Sequence, residues 1–462
     1  MTAFSITERK SAFSIAPKTA KPIYAITPDD LENQTHLPPH IAAFAASAGF
    51  RADAGAFLLC PSEGGQLEAA IFGLGTNPAE TPFVSGRLAR LLPEGDWRFA
   101  YHAGDIAKAL ISFAMACYSF DRYQKPAKPK ARLVVPEGQD CEALMRTEAA
   151  VFLARDLINT PANDMQPDHL EAAFAALANH YGASFSAVRG DDLLTEGFPL
   201  VHAVGRAGEK APRVMELRWG RKGARKVSLV GKGVCFDTGG LDLKSAAGMG
   251  LMKKDMGGAA NVMALALMIM DAGLDIDLRV IVPSVENAVA GNAFRPGDIY
   301  RSRKGLTVQI DNTDAEGRLI LADALTYADE YQPELLIDMA TLTGAARVAL
   351  GPDVPPFFTN DDAFAEKLSQ ASDAVDDPLW RMPLIAGYES KLKTRIADLT
   401  NAPSGGMAGA ITAALFLKQF VSGESSWAHF DIYGHAPADR DIGPAGGEAQ
   451  AIRALFETIS KG

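Results

Sequence analysis

The chain has 462 residues, 48% hydrophobic and 22% charged, with a formal charge of −11. At roughly 100–200 residues per domain this allows two to four domains with ample apolar content for a core, which excludes bulk disorder. The best apolar run, Val262 to Met270, is far short of the ~20 residues of a transmembrane helix, and the acidic balance opposes a polyanionic partner.

The opening MTAFSITERKSAF lacks the long apolar stretch of a secretory signal, so a cytoplasmic location is expected. Residues 1–125 mix short apolar runs (Ala56–Cys60, Ala69–Phe72) with helical stretches such as Ile106 to Tyr118, and are expected to form a small N-terminal α/β domain. The Pro- and Lys-rich segment Lys125–Lys130 reads as a linker. A helical pattern from Cys141 to Ile158 follows, so 126–158 is expected to be linker plus connecting helix, stopped by Asn159-Thr-Pro-Ala-Asn-Asp164. From 159 to 462 strand and helix patterns alternate. Val227–Val230, Leu278–Val282, Leu306–Ile310, Leu335–Met339 and Trp427–Ile432 read as strands; Asn261–Met270, Leu319–Tyr331 and Ala408–Phe420 read as helices, the first apolar nearly all round and hence buried. This alternation predicts an α/β fold with a mainly parallel central sheet flanked by helices.

In open α/β sheets, ligands sit beyond the C-terminal ends of strands. Three loops meet that test: Gly231–Gly240, Asp311–Arg318 and Ala340–Gly344. They and the segment around Asp255 carry Asp237, Asp255, Asp314 and Glu316, with Lys232, Lys244 and Arg318 as nearby cations. A lone Asp in a Gly-rich loop is ordinarily a turn former or helix cap, and Asp255 before Met-Gly-Gly is a cap candidate. Four converging carboxylates would repel one another and need cations to stay ionised. Two divalent metals supply them, and oxygen-rich two-metal sites are a known device for hydrolysis. The eight histidines contain no H-E-x-x-H, and the four scattered cysteines read as reduced thiols. Gly231-Lys-Gly lacks the spacing of a phosphate loop.

The joint pattern is more specific. Val230-Gly-Lys-Gly-Val-Cys-Phe-Asp-Thr-Gly-Gly240, Lys244, Met252-Lys-Lys-Asp-Met-Gly-Gly-Ala-Ala260 and Asn312-Thr-Asp-Ala-Glu-Gly-Arg-Leu319 together resemble the leucyl aminopeptidase family, the two-metal cytosol aminopeptidase type known as peptidase family M17. Arg295–Asp298, Thr341–Ala345 and Gly409–Leu417 add to the resemblance, which covers about Cys141 to the C-terminus. It implies a catalytic dimetal domain over 159–462. It also implies that Asp237 and Glu316 bridge two metals, that Lys232 and Asp255 hold the tighter one, and that Asp314 holds the more exchangeable one. Lys244 would polarise the scissile carbonyl, and Arg318 would hold a bicarbonate acting as general base. Met252, Thr341 and Gly344 would line the pocket for the N-terminal side chain, with Asn312 also among the substrate-binding positions.

The implied activity is removal of the N-terminal residue from a peptide, with Leu or Met preferred because Met252 is flexible and apolar. Zinc or manganese is expected ahead of magnesium or cobalt. The resemblance also implies a homohexamer, a dimer of trimers, with neither membrane nor nucleic acid as partner. Three positions depart from the family: Ser245 stands where proline is common, Cys235 where threonine is frequent, and Tyr433-Gly-His435 where small or apolar residues and Pro are usual. These leave the chemistry intact and bear on side-chain preference. The competing readings are a DNA-binding protein, a scaffold without catalysis and a two-metal phosphatase. The acidic charge counts against the first and retention of all seven charged positions against the second; leucine-anilide against phosphate-ester turnover discriminates the third.

Overall fold

Aliphatic and β-branched runs become the central strands of a nine-stranded sheet in the computed structural model, which describes residues 11–14, 19–124 and 131–462. The order is Trp380–Arg381, Pro356–Thr359, Ser426–Asp431, Leu335–Ala340, Arg225–Gly231, Ile276–Asn287, Arg213–Gly220, Ser184–Arg189; Gly233–Asp237 pairs with the end of Ile276–Asn287. The four middle strands are mutually parallel, in the registers Leu335↔Ser426, Leu335↔Val227 and Leu278↔Val227. Antiparallel pairings flank them: Arg213–Gly220 with Ile276–Asn287 and then with Ser184–Arg189 on one side, Pro356–Thr359 with Ser426–Asp431 on the other. The alternating Leu306–Ile310 segment is a strand (Thr307–Gln309), but it belongs to a separate three-stranded sheet with Ile299–Arg301 and Leu399–Thr400.

Successive strand residues point to opposite faces, and helices cover both. Val230 packs in the cluster containing Leu319–Ala322 of the helix Gly317–Asp329. Its neighbour Gly231 faces Ala259 and Val262 of the helix Gly257–Asp271, which is buried from Gly257 through Met270. That helix approaches the sheet closely because it begins Gly-Gly. A Cβ on Gly258 would lie 2.1 Å from the Met339 carbonyl oxygen. Each fully buried Leu, Ile or Met along it contributes roughly 1.5–3 kcal/mol.

These elements form one compact unit, which comprises Leu153–Pro437 and Gly446–Gly462. The second unit comprises the described residues up to Phe152 together with Ala438–Ala445. Its six-stranded sheet runs Phe13–Ser14, Ala131–Val134, Gly95–His102, Lys21–Ile26, Leu67–Gly73, Phe57–Pro61, parallel except for the last, antiparallel pair. Strand alternation again gives two apolar layers: Ile23, Ala25, Ala70 and Phe72 on one face, Ile26, Ala69 and Ile71 on the other. The helix Ile106–Ala116 covers the first, capped by Asp105, which accepts from the Ala107 and Lys108 amides. The helix Cys141–Asn159 ends where the Asn-Thr-Pro sequence forbids continuation. The Lys125–Lys130 segment read as a linker lies outside the described residues. Among the described residues no helix is long and apolar enough to cross a membrane.

Candidate active site

The four parallel strands end on one edge, and the chemistry-bearing loops start there. Lys232 follows Gly231 directly, and its backbone is pinned between strand and helix by bonds to Met339 O (3.0 Å) and from Ala259 N (2.8 Å). Asp237 closes the strand Gly233–Asp237. Asn287 Nδ2 donates to Asp237 Oδ1 (2.8 Å) and to Thr313 O (3.0 Å), so one amide ties the Asp237 strand to the Asp311–Glu316 loop. Asn401 holds the same loop from the far side, accepting from Asp311 N (2.8 Å) and donating to Asn312 O (2.7 Å). Asn312 Oδ1 in turn accepts from Asp314 N (2.7 Å). Glu316 and Arg318 sit at the start of the helix Gly317–Asp329.

Asp255 lies in the 3-10 turn Met252–Met256 and does not cap the helix after it; that helix starts behind Met256 without a side-chain cap. Its carboxylate is directed instead at the site, accepting from Thr341 Oγ1 (2.8 Å) and lying 2.8 Å from Lys232 Nζ.

Asp237, Asp255 and Glu316 are all buried, and each offers a carboxylate oxygen within 4.8 Å of the others. At an effective dielectric of 20, each such pair of charges repels by about 3–4 kcal/mol. Lys232 Nζ offsets part of this from 2.8 Å to Asp255 and 3.0 Å to Glu316, and donates to Thr341 O (3.0 Å). Lys244 Nζ pairs with Asp237 (2.8 Å) and with Asp314. The balance stays short of cations. Burial and then the Asp237 charge push Glu316 well above the usual carboxylate range and Asp314 up to about 6. Burial alone would lower both lysines, yet the surrounding carboxylates raise them. Glu316 Oε2 is buried with no hydrogen-bond partner among the described residues. An over-acidic, desolvated oxygen set with an open lone pair fits divalent cations.

Beside this cluster opens a cleft of ≈ 840 Å³, lined by all seven charged positions and by Met252, Asn312, Thr341 and Gly344. The structure therefore brings the charged and substrate-binding candidates read from the sequence to one cleft, while Cys235 lies outside it. Arg318 is buried, and burial draws it down to about 10; Nη1 donates to Asn401 O (2.5 Å), while Nε has no hydrogen-bond partner among the described residues. Ser245 caps the short helix Ala246–Met249 by accepting from Gly248 N. Cys235 is a buried thiol, pushed by its burial up to about 12. His429 is fully buried against Asp338 (2.5 Å) and plays a structural part.

A model of the cytosol aminopeptidase catalytic domain matches residues 152–456, and one of the M17 aminopeptidase N-terminal domain matches 21–136. The chain belongs to the cytosol aminopeptidase family. Relatives include the cytosol aminopeptidase of Encephalitozoon cuniculi, 42% identical over 366 residues (78% of this chain, 75% of that one). The probable cytosol aminopeptidase of Chlorobium limicola is 34% identical over 455 residues (89% and 90%). Among solved structures, the cytosol aminopeptidase of Coxiella burnetii superposes with a TM-score of 0.93 at 42% identity, covering 97% of this chain and 99% of that one. The bottromycin maturation enzyme BotP, in complex with Mn, gives 0.86 at 31%, covering 96% and 99%. The chain is a metal-dependent aminopeptidase, a hydrolase acting on peptides.

Several groups at the site were not singled out by the sequence reading. Asn287 and Asn401 are single amides far along the chain from the loops they tie. Asp431, at the end of the Ser426–Asp431 strand, accepts from Leu342 N, Thr343 N and Thr343 Oγ1. Lys254 is buried in the cleft lining, where burial lowers it to about 8. For Asp431 the available signal was an acidic residue next to the end of the predicted strand Trp427–Ile432.

Proposed function

We propose that the protein removes the N-terminal residue from peptides with two divalent ions held by Lys232, Asp237, Asp255, Asp314 and Glu316. The observation that carries this reading is the buried Asp237–Asp255–Glu316 cluster, contacted by Lys232 and opening onto a peptide-sized cleft. When bound, the ions supply Lewis acidity toward the attacking water, the scissile carbonyl and the substrate's free amine. Asp237 and Glu316, whose charges reach both Asp255 and Asp314, would each help to hold both ions. Lys232 would serve as a ligand in its neutral form, its proton given up to the charge of the ion.

Lys244 stays protonated between Asp237 and Asp314 and donates toward the oxygen on which charge develops; a donor of that kind is worth about 3–4 kcal/mol. Arg318, whose Nε has no hydrogen-bond partner among the described residues, would hold a bicarbonate, which would supply a general base beside the cluster. Met252, Asn312, Thr341 and Gly344 orient the N-terminal residue, and Met252 favours Leu- or Met-like side chains. Manganese is supported by the similar enzyme BotP, solved in complex with Mn, with zinc as the alternative ahead of magnesium or cobalt. A homohexamer built as a dimer of trimers and a cytoplasmic location complete the reading, the latter supported by the relatives' names.

The test is hydrolysis of leucine p-nitroanilide before chelation, after it and on return of Mn²⁺ or Zn²⁺, with p-nitrophenyl phosphate alongside. Metal-restored anilide turnover is expected; phosphate-ester turnover alone would refute the reading. Light scattering of the native protein checks the hexamer.

A further inference from the structure

Tyr433 opens the segment Tyr433–His435, where the family resemblance implies small or apolar residues and Pro, and its ring lines the cleft. Its ring lies 4.7 Å from Lys254 Nζ and 4.9 Å from the Arg347 guanidinium, so two cations converge on one aromatic ring. All three residues line the same cleft as Met252, Thr341 and Gly344. Lys254 is only 6% exposed. Among the described residues no carboxylate or carbonyl accepts from its ammonium, and Arg347 forms no side-chain hydrogen bond either.

The two acids whose charges act on Lys254, Asp255 and Asp431, have their hydrogen bonds elsewhere. Asp255 faces Lys232 and Thr341, and Asp431 accepts from Leu342 and Thr343. A buried ammonium with no hydrogen-bonded counter-anion, facing an aromatic ring, is costly unless an anion arrives. The cleft is where one enters.

We infer that Lys254 and Arg347, held by Tyr433, form a carboxylate-binding end to the pocket for the N-terminal side chain, so that the enzyme accepts N-terminal Glu and Asp as well as Leu and Met. This rests on the aminopeptidase reading above and refines its side-chain preference. The carboxylate has two conceivable sources, the N-terminal side chain or the C-terminus of a short peptide. The first is favoured because the cations share the cleft with the residues assigned to the N-terminal side chain.

The experiment measures kcat/KM of the metal-loaded protein on the coumarin amides of Glu, Asp, Leu and Met, and on Leu-Gly against Leu-Gly-amide. Glu-coumarin is expected within tenfold of Leu-coumarin. Lys254→Met and the surface variant Arg347→Met should each lower the Glu:Leu ratio about tenfold or more, while Lys254→Arg retains most of it. Turnover of Leu but not Glu by the unmodified protein, or a Glu:Leu ratio unmoved in both Met variants, overturns the inference and leaves the aminopeptidase reading standing. A change confined to Leu-Gly against its amide also overturns it, assigning the cations to a peptide C-terminus. No turnover of any amide would instead refute the aminopeptidase reading itself.

Discussion

Gly317→Ala sets two effects against each other whose sizes the structure supplies. Gly317 is the first residue of the helix Gly317–Asp329, where alanine gains at most about 0.5–1 kcal/mol over glycine. A Cβ there would lie 2.4 Å from Lys232 Cε, 2.7 Å from Nζ and 2.8 Å from Cδ, against ~3.5–4.0 Å for ordinary contact. Lys232 must move by about 1 Å, and overpacking of that kind costs about 1–3 kcal/mol. The overpacking wins, leaving the variant about 1 kcal/mol less stable. The larger effect is on the site. The displaced amine gives up its positions 2.8 Å from Asp255 and 3.0 Å from Glu316 and Thr341 O, and a misplacement of ~1 Å costs about 10²-fold in rate.

Urea unfolding, elemental analysis and kcat/KM on leucine p-nitroanilide measure the three quantities. Gly387→Ala, where a Cβ meets nothing within 4 Å, is the control and should leave activity unchanged. If Gly317→Ala keeps native metal content and kcat/KM within twofold, packing against Gly317 does not hold Lys232 in place.

Glu316→Ala should lose metal and activity together if Glu316 is the proposed bridging ligand; full occupancy by elemental analysis would contradict that role. Lys244→Met should lower kcat far more than it raises KM, since its partner charge develops only in the transition state; a pure KM effect would make it a substrate binder. The pH dependence of stability should change sign with metal. Asp314 at about 6 and Glu316 above its usual range hold protons more tightly folded than unfolded, so chelated protein gains stability as pH falls through about 6 toward the ordinary carboxylate range. Metal-loaded protein loses stability over the same window as protons displace ions, and parallel slopes in denaturant titrations at pH 5 and 7 would count against the cluster as the binding site. Activity should peak above neutrality, because the substrate amine, with a pKa of about 8, coordinates only when deprotonated; a maximum below pH 6 would exclude that coordination.

The sequence by itself determined the elements and the reacting groups. The period of apolar residues from 227 to 230, 261 to 270 and 335 to 339 marks strand, buried helix and strand because burial acts residue by residue along the chain. The placing of Lys232 and Thr341 just beyond strands follows from the same pattern, whereas Asp237 closes a short strand inside the segment that reads as a loop; the octapeptide Asn312–Leu319 carries its family resemblance in its own eight residues. Asp255 shows the limit: locally it reads as a helix cap, and only its approach to Thr341 and Lys232 makes it a site residue. The tertiary structure alone decided how the antiparallel edges close the sheet and that Asn287 and Asn401 brace the loops. It alone decided that Gly317 presses on Lys232 and that Lys254, Arg347 and Tyr433 meet around one ring. These last two relations join residues from 85 to 179 positions apart. Strand register and helix docking set their distances, and no local periodicity encodes either.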